Sequence, residues 1–419
     1  MQTGNAAAQG TVGRRSGAYQ AWLVGLLSLN FGIVFFDRQA LNVLMPFVQP
    51  ELGLTNTQIG LLASALSFTW ALAAFGVGKL SDTIGNRKLL LVIATIGFSL
   101  CSFLSGIATS FIFLLSARLL MGAAEGGVMP ISHAMVATEV DPRRRGMAQG
   151  IAQNFGSNLL GSFLAPVLLV WFGQEFGWRN AFFLAAIHGI IAAILIWFTL
   201  EEPPAPPKPA TQDGERYGIM DALRNRNILI CVVLGVLMVS YFVICLTFLP
   251  IYLTSVRGFT NIEMSWLIGT LGISATIGSF ATSGLSDLIG RRPVMIAMPL
   301  IGIILPLGAL YWSGSIWGLV PIFFFGWGLN GIFPLFMATV PSESVDPRHA
   351  ATALGLTMGS AEILGGVFAP FLAGAAADAT SLAAPLWIMV GLTLAGGVVA
   401  MFLKETAPSQ LAKRAAATA

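Results

Sequence analysis

Five ionisable side chains stand inside long apolar stretches of this sequence. They are Asp37, Arg38, Arg118, Glu125 and Glu362. A charge at the centre of a membrane-spanning helix costs about 2.5–3.5 kcal/mol on insertion scales, so such residues are functional hypotheses by default. Acids and arginines in one apolar environment are suited to proton exchange and anion binding. The alternative is two structural ion pairs, Asp37–Arg118 and Arg38–Glu125 or the reverse, but a buried pair is only weakly stabilising.

Four of these charges fall in the first half of the chain. Arg118 and Glu125 are seven residues apart, which is two helical turns, so both lie on one helix face. Asp37 and Arg38 are adjacent in the sequence. The near-equivalent segment of the second half, residues 328–334, carries no charge. This asymmetry predicts that one half hosts both proton coupling and anion capture.

The elements that must position these residues are membrane-spanning helices. Of the 419 residues, 56% are hydrophobic and only 10% are charged, against roughly 25% charged in soluble domains. The mean hydropathy is +0.80. A span needs about 20 apolar residues. Twelve such stretches occur, near residues 18–44, 57–79, 89–108, 111–134, 147–172, 180–200, 228–254, 264–284, 293–312, 315–339, 350–375 and 383–403.

The placement of the basic residues orients the predicted helices. Of the 22 Lys and Arg, all but five lie on the side of the two termini; the exceptions are Arg38, Lys79, Arg118, Arg179 and Arg257. By the positive-inside rule we expect both termini in the cytoplasm and a multi-pass protein of the cell (inner) membrane. The net charge of +3 includes no polybasic tract, so nothing predicts nucleic-acid binding.

Five regions follow from the positions of the predicted spans. A proline-rich polar stretch divides the spans six and six and is expected to be a linker. The regions are a cytoplasmic tail (1–17), a six-helix bundle (18–200), a cytoplasmic linker (201–227), a second six-helix bundle (228–403) and a cytoplasmic tail (404–419).

Two short motifs recur at one offset, which indicates a duplication. Residues 80–87, Leu-Ser-Asp-Thr-Ile-Gly-Asn-Arg, return at 285–292 as Leu-Ser-Asp-Leu-Ile-Gly-Arg-Arg. Val-Asp-Pro-Arg occurs at 140–143 and again at 345–348, also 205 residues on. Both copies face the cytoplasm in the predicted topology. The repeat is therefore parallel, as in two six-helix halves about an axis normal to the membrane.

Twelve spans, a central loop and this motif resemble the major facilitator superfamily over nearly the whole chain. The motif supplies the expected gating residues, which are Gly78, Asp82, Gly85 and Arg87 in the first copy and Asp287 and Arg291 in the second. Its basic position after the acid is absent here, since Thr83 and Leu288 follow the aspartates. Asp82 and Arg87 could latch neighbouring helix ends. The alternative is that these charges only anchor a loop among lipid headgroups.

Residues 37–46 and the stretch from Arg118 to Pro130 resemble the anion:cation symporter family. The resemblance implies proton-driven import of organic anions such as carboxylic acids. By position, Asp37 and Glu125 would exchange protons, Arg38 would bind the substrate carboxylate, and Arg118 would pair with the acids.

Other expected substrate contacts depart from that family. Trp70 replaces a tyrosine of sugar-acid importers, and Ser157 with Asn158 replaces a glutamine. Glu362 lies beside the position of an asparagine, where it could bind substrate, bind a second proton or make a helix–helix hydrogen bond. Tyr241 is a further candidate contact, although aromatics in spans more often pack or face lipid. An aromatic or sparsely hydroxylated acid fits these differences best.

The expected function is a proton-coupled symporter of a small organic anion, working by alternating access as a monomer in the lipid bilayer. The same charges also resemble spinster-type transporters, so a proton-driven carrier of lysolipids or other amphiphiles is the alternative. An enzyme is not expected, because neither a metal-ligand set nor a Ser-His-Asp arrangement is apparent, and no cofactor or metal is predicted. A Gly-rich phosphate loop is also missing, which disfavours ATP-driven pumping.

Overall fold

A computed structural model describes residues 16–141, 144–203, 219–346 and 349–412, apart from the side chains at 75, 78, 79, 81–84, 146 and 351. These residues form helices and no strands. We label the long helices α1 to α12, with α1–α6 as the first half and α7–α12 as the second. They are Gly17–Leu52, Asn56–Ile84, Arg87–Gly106, Phe111–Glu139, Met147–Phe176, Trp178–Thr199, Arg226–Ser255, Asn261–Ile289, Arg291–Tyr311, Ile316–Glu343, Thr352–Ala379 and Ala384–Ala400.

Eleven of these described helices are long and apolar enough to cross a membrane, and α12 is a shorter apolar helix. The predicted twelve-helix architecture is therefore confirmed, although the predicted ends are not all correct. Helix α1 runs to Leu52 rather than ending near residue 44, and it contains Pro46 and Pro50. Prolines are tolerated in membrane helices because neighbouring groups satisfy the freed backbone carbonyls.

The duplication is visible in the backbone as well as in the sequence. Gly53 and Gly258 both have positive φ angles (61° and 70°), and so do Gly85 and Gly290 (70° and 112°). Each pair is separated by 205 residues, and each glycine ends a helix or turns the chain into the next one. Since glycine pays no Cβ penalty at positive φ, these positions preserve the turns of both halves.

Four of the described helices are irregular. Helix α5 contains a π-helical stretch over Ser157–Leu164, and α11 contains one over Ala361–Phe368. Helix α4 is interrupted between Glu125 and Val128, and α10 narrows to a 3-10 turn over Gly328–Ile332. Such departures from the α-helical ladder are frequent at functional sites.

Close helix crossings explain several of the 47 glycines. A Cβ on Gly156 would lie 1.8 Å from the Ser28 carbonyl oxygen, so α1 and α5 touch through their backbones. The Ser28 hydroxyl donates to the Ile151 carbonyl (2.9 Å) and accepts from the Gly156 N–H (3.0 Å). This serine satisfies polar backbone groups next to the irregular part of α5, where no bulk water would be available.

The two halves meet at the centre and on the side of the membrane opposite the chain termini, which we call the far side. Their contacts join α1 to α7, α2 to α11, and α5 to α8. At the far side, the outer end of α2 packs on the end of α11, where a Cβ on Gly374 would lie 2.3 Å from the Asn56 carbonyl. The far side of the central space is thus closed.

Candidate transport site

The charged residues predicted in the first half come together at its centre. Helix α1 carries Asp37 and Arg38, and the Phe111–Glu125 segment of α4 carries Arg118 and Glu125 on one face. Asp37, Arg118 and Glu125 are each only 1% exposed. Arg38 is more accessible, with 23% of its side chain exposed. One arginine of the group can therefore be reached from the central space most readily.

Arg38 and Glu125 form the one ion pair of this group among the described residues. The Arg38 Nε and Glu125 Oε2 atoms are 3.5 Å apart. Neither Glu125 oxygen has a hydrogen-bond partner within the described part of the chain, and neither does Arg38 Nε. The pair is held by charge without directed hydrogen bonds. Such a pair can be opened more easily than a bidentate one.

Asp37 is held by a serine and not by an arginine. The Ser102 hydroxyl of α3 donates to Asp37 Oδ1 at 2.5 Å, while Asp37 Oδ2 has no hydrogen-bond partner among the described residues. Arg118 lies in the field of both acids but makes no ion pair with them within 4.0 Å in the described structure. Arg118 Nη1 donates to the Met121 sulfur at 3.2 Å. Of the two pairings that the structural alternative left open, the structure has the Arg38–Glu125 pair but no Asp37–Arg118 pair, and Ser102 is the hydrogen-bond partner of Asp37 instead.

Aromatic rings frame the accessible arginine. The Arg38 guanidinium carbon is 5.3 Å from the Trp70 ring centre and 5.6 Å from that of Phe35. These distances are within the range of cation–π attraction. Trp70 thus contacts the Arg38 guanidinium.

A cavity opens between the halves beside these charges. It has an empty volume of about 630 Å³, part of it open to the surroundings. Both Arg38 and Arg118 line it, and ten of the sixteen lining residues are apolar. The lining residues are Phe35, Arg38, Gln39, Leu41, Asn42, Met45, Ile59, Leu62, Ala63, Leu66, Ser67, Arg118, Phe242, Val243, Leu246 and Thr247.

Five predicted substrate contacts are not among the lining residues. Trp70 contacts Arg38, Glu362 lies next to the cavity, and Tyr241, Ser157 and Asn158 lie elsewhere. Tyr241 is fully buried in the second half, where its hydroxyl donates to the Gly302 carbonyl at 3.1 Å. Its neighbour Phe242 lines the cavity instead. Ser157 donates to the Gln153 carbonyl of its own helix at 2.7 Å. Asn158 is half-buried and also outside the cavity lining.

Glu362 faces the first half from α11. It is half-buried in the π-helical stretch and lies in the electrostatic field of Arg38. A Cβ placed on Gly366 would be 3.3 Å from Glu362 Oε2 and 3.4 Å from the Ser67 hydroxyl, so carboxylate and hydroxyl approach the same point. The structure therefore places Glu362 at the α2–α11 boundary next to the cavity.

The second copy of the gating motif forms an ion network. Arg291 Nη1 is 2.5 Å from Asp287 Oδ1, and Arg291 Nη2 is 3.0 Å from Glu343 Oε1. This joins α8, α9 and α10 on the side of the termini. In the first copy, Arg87 donates to the Thr138 hydroxyl at 2.9 Å. Two predicted gating residues, Gly78 and Asp82, are at positions whose side chains lie outside the described set. Residues 142–143 and 347–348, which belong to the Val-Asp-Pro-Arg repeat, also lie outside the described residues.

Sequence reasoning missed a second duplicated device. Glu202, after α6, accepts from the Arg87 and Lys88 N–H groups (2.6 and 2.8 Å), and Glu405, after α12, accepts from those of Arg291 and Arg292 (2.8 and 3.1 Å). Each carboxylate caps the first turn of a helix, where negative charge is favourable. The signal was present as Leu-x-Glu at 200–202 and 403–405.

Other missed residues carry weaker signals. Ser102, Ser67, Gln39 and Thr247 are ordinary polar residues of membrane helices, and only packing brings them to the charges or the cavity. In the described part of the chain, no group of three or more His, Cys, Asp or Glu side chains could hold a metal ion.

The sequence model of the Major Facilitator Superfamily matches residues 27–363 and 263–419. The chain belongs to this family, and it is therefore a membrane transport protein and not an enzyme. Solved structures with the same fold include a bacterial homologue of the lysosomal transporter spinster (TM-score 0.73, 20% identity, 93% of this chain and 95% of that one). A nucleoside transporter is also similar (TM-score 0.77, 15% identity, 91% and 100%).

The curated relatives include carriers of organic acids. A hexuronate transporter of Bacillus subtilis is 30% identical over 284 residues, covering 64% of this chain and 66% of the relative. A probable 4-methylmuconolactone transporter of Cupriavidus pinatubonensis is 33% identical, covering 63% and 62%. These two matches thus span just under two thirds of the relatives' lengths. A probable sulfoacetate transporter of Cupriavidus necator is 25% identical over 91% of this chain and 93% of its own.

Proposed function

We propose that this protein is a proton-coupled symporter that imports a small organic anion, a carboxylate, by alternating access across the cell (inner) membrane. The observation that carries this proposal is the Arg38–Glu125 ion pair, in which the arginine lines the central cavity and the acid is buried. The names of the relatives, which include hexuronate and sulfoacetate transporters, support an organic acid as substrate.

The mechanism follows from the charges around the cavity. With Glu125 ionised, Arg38 is neutralised at 3.5 Å and is a poor partner for an incoming anion. A proton on Glu125 releases the guanidinium, whose planar fork can then bind the substrate carboxylate through two hydrogen bonds. Asp37, with one oxygen bonded to Ser102 and the other without a hydrogen bond, is the second proton site of the proposal. Arg118 also lines the cavity, and its positive charge offsets the negative charge of the acids, which favours binding of an anion.

Alternating access requires the proton and the substrate to move together. In the present conformation the far side is closed by the α2–α11 contact. When the far side opens, protonation frees Arg38 and the anion binds. After the halves rock, loss of the proton restores the Arg38–Glu125 pair, and the anion is displaced into the cytoplasm. The duplicated networks of Arg87 and Arg291 are proposed to steady the helix ends during this motion, and both termini are proposed to be cytoplasmic.

Glu125→Gln tests this coupling. In proteoliposomes with an imposed pH gradient, the variant should lose pH-driven uptake of organic acids, because it cannot exchange a proton. Exchange of substrate for substrate should survive, because Arg38 remains free to bind the anion. Glu263→Gln, at the far-side start of α8, is the matched control that removes one carboxylate away from the cavity. Loss of both activities in a folded Glu125→Gln protein would count against coupling through this residue.

A second candidate function rests on the apolar character of the cavity. Ten of the sixteen lining residues are apolar, among them Leu41, Met45, Ile59 and Leu62, and such a wall would suit an acyl chain with its head group at Arg38. The protein would then be a proton-driven carrier of lysolipids or similar amphiphiles. Uptake assays with sugar acids, aromatic acids, small monocarboxylates and lysolipids separate the two functions, with Asp37→Asn as the inactive control. Movement of lysolipids alone would replace the first proposal by the second.

A further inference from the structure

Glu362 gives the cavity a charge that the proposed anion site does not explain. With every group ionised, Asp37 and Glu125 balance Arg38 and Arg118, and Glu362 adds one negative charge; with Glu125 protonated, Glu362 cancels the positive charge that would otherwise remain for the anion. No hydrogen bond or ion pair joins Glu362 to another residue within the described ranges. A negative charge placed beside an anion site disfavours a simple anion, unless the substrate itself supplies something that the carboxylate can bind.

The position of Glu362 indicates where that group must be. The carboxylate belongs to the second half, while Arg38, whose field it shares, belongs to the first. Ser67 lines the cavity and approaches the same point above Gly366 as Glu362 Oε2 does. A substrate that occupies the cavity therefore has its carboxylate near Arg38 and its other end within reach of Glu362.

We propose that the preferred substrate is bipolar, a carboxylic acid that carries a cationic nitrogen with N–H donors at its opposite end. Arg38 binds the carboxylate, Glu362 accepts from the nitrogen, and the Ser67 hydroxyl lies beside them. The proposal rests on the function proposed above and narrows its substrate class. It also explains why the second half contributes a carboxylate side chain, Glu362, next to a site that is proposed to bind carboxylic acids.

The test compares probes that share one skeleton. Uptake of 4-(aminomethyl)benzoate, 4-hydroxybenzoate and benzoate is measured in proteoliposomes with an imposed pH gradient. A charge-assisted hydrogen bond gives roughly tenfold or more in affinity, so the KM of the wild type should be at least tenfold lower for the aminomethyl acid than for benzoate. Glu362→Gln should reduce this ratio to about twofold and should still transport benzoate. Glu263→Gln should keep the wild-type ratio.

Four outcomes would overturn the proposal. An unchanged ratio in Glu362→Gln would show that the carboxylate does not read the second end of the substrate. An altered number of protons per substrate, without an altered ratio, would make Glu362 a second proton site. If the wild type moved only plain carboxylates, the bipolar substrate would be wrong and the anion symporter would stand; if it moved none of the acids, the proposed function itself would fail.

A different observation concerns the closed far side. Asp378, at the end of α11, accepts four hydrogen bonds from the start of α2. Its Oδ1 accepts from the Asn56 N–H and side-chain amide (3.0 and 2.8 Å), and its Oδ2 accepts from the Thr57 N–H and hydroxyl (2.7 and 2.5 Å). A carboxylate from one half of the molecule thus binds the positive end of a helix in the other.

We propose that Asp378 is the latch that holds the far side closed and must release before the cavity can open there. The latch sits on a tight seam, since a Cβ on Gly60 would lie 2.1 Å from the Pro370 carbonyl. Helix α2 keeps its own first-turn bonds between Thr55 and Gln58 (3.0 and 3.2 Å), so it stays formed when Asp378 leaves. Release therefore separates the halves without unwinding α2.

Electron spin resonance distances test the latch. Cysteines for spin labels replace Thr109 and Ser313, which are exposed on far-side loops of the two halves. The three natural cysteines are buried. Asp378→Ala should increase the ratio of long to short distances at least tenfold, and Asp378→Asn, which keeps one acceptor oxygen, should give a smaller increase. Glu175→Gln, another far-side carboxylate, should change nothing. Unchanged distances in folded Asp378→Ala and Asp378→Asn proteins would overturn the proposal.

Discussion

Replacing Arg38 by lysine tests whether its planar fork, and not its charge alone, binds the substrate. Lysine keeps the positive charge but presents a single ammonium group, so one of two hydrogen bonds to a carboxylate is lost. It also loses the flat surface that faces Trp70 at 5.3 Å and Phe35 at 5.6 Å. Binding of the anion should therefore weaken, while the charge balance with Glu125 is preserved.

The size of the effect follows from the lost contact. One charge-assisted hydrogen bond contributes about 1.5–3 kcal/mol. At about 1.4 kcal/mol per factor of ten, the KM for an organic acid should rise roughly 10- to 150-fold. The maximal rate should change much less, because the proton sites are intact. Initial rates of pH-driven uptake into proteoliposomes, measured over a range of substrate concentrations, separate the two parameters.

Arg257→Lys is the matched control for this experiment. Arg257 also donates to backbone carbonyls, at 3.1 and 2.9 Å, but these belong to Ala309 and Leu310 at the end of α9, away from the cavity. The control should leave KM unchanged even if it lowers the melting temperature. A KM within threefold of wild type for Arg38→Lys, with transport still measurable, would refute the assignment of Arg38 as the carboxylate-binding residue.

Three further predictions concern the structure around the site. Ser102→Ala removes the 2.5 Å hydrogen bond to Asp37 and should lower both the melting temperature and pH-driven uptake, since a bond to a charged group contributes about 1.5–3 kcal/mol. Gly156→Ala places a Cβ 1.8 Å from a carbonyl of α1 and should prevent normal packing, whereas Gly150→Ala, which meets open space, should melt like the wild type. Glu405→Gln weakens the cap of α9 and should destabilise the protein by about 0.5–2 kcal/mol in thermal unfolding.

The architecture could be predicted because few physical rules produce it. A hydropathy of +0.80 requires a membrane environment, apolar length defines spans, and the 205-residue offset reveals the duplication. Helix ends were less predictable, since Pro46 and Pro50 lower local hydropathy without ending α1. The irregular turns of α5 and α11 left no signal in the sequence, because they depend on partners such as Ser28 in other helices.

The charged part of the site could be predicted because charged residues are rare inside membrane-spanning helices. Arg38 and Glu125 were candidate functional residues for this reason alone. The pairing within the group could not. Sequence spacing allowed either acid to meet either arginine, and the choice depends on Ser102, a serine of α3 that nothing distinguishes from its neighbours. The role of Asp378 could not be predicted either, because its four hydrogen-bond donors belong to Asn56 and Thr57, which are 322 and 321 residues away in the sequence.

The repeat itself shows which parts of the molecule serve structure and which serve transport. The 205-residue offset preserves glycines at positive φ, and the two glutamate caps recur almost in register, so these features belong to the fold that both halves share. At the same offset, Asp37 and Arg38 correspond to Phe242 and Val243, which line the opposite wall of the cavity. The second half has thus kept the scaffold and has uncharged side chains where the first has charges.

This difference gives the proposed substrate a direction. An anion in the cavity has Arg38 on one side and the face of Phe242, stacked on Trp327 at 5.5 Å, on the other. The substrate carboxylate must point to the first half, because only the arginines of that half can compensate for the loss of its hydration. The apolar body of the substrate must then lie against the second half. Glu362, an acid of the second half, lies next to this space at the α2–α11 boundary, so the far end of the substrate, and not its carboxylate, should decide specificity.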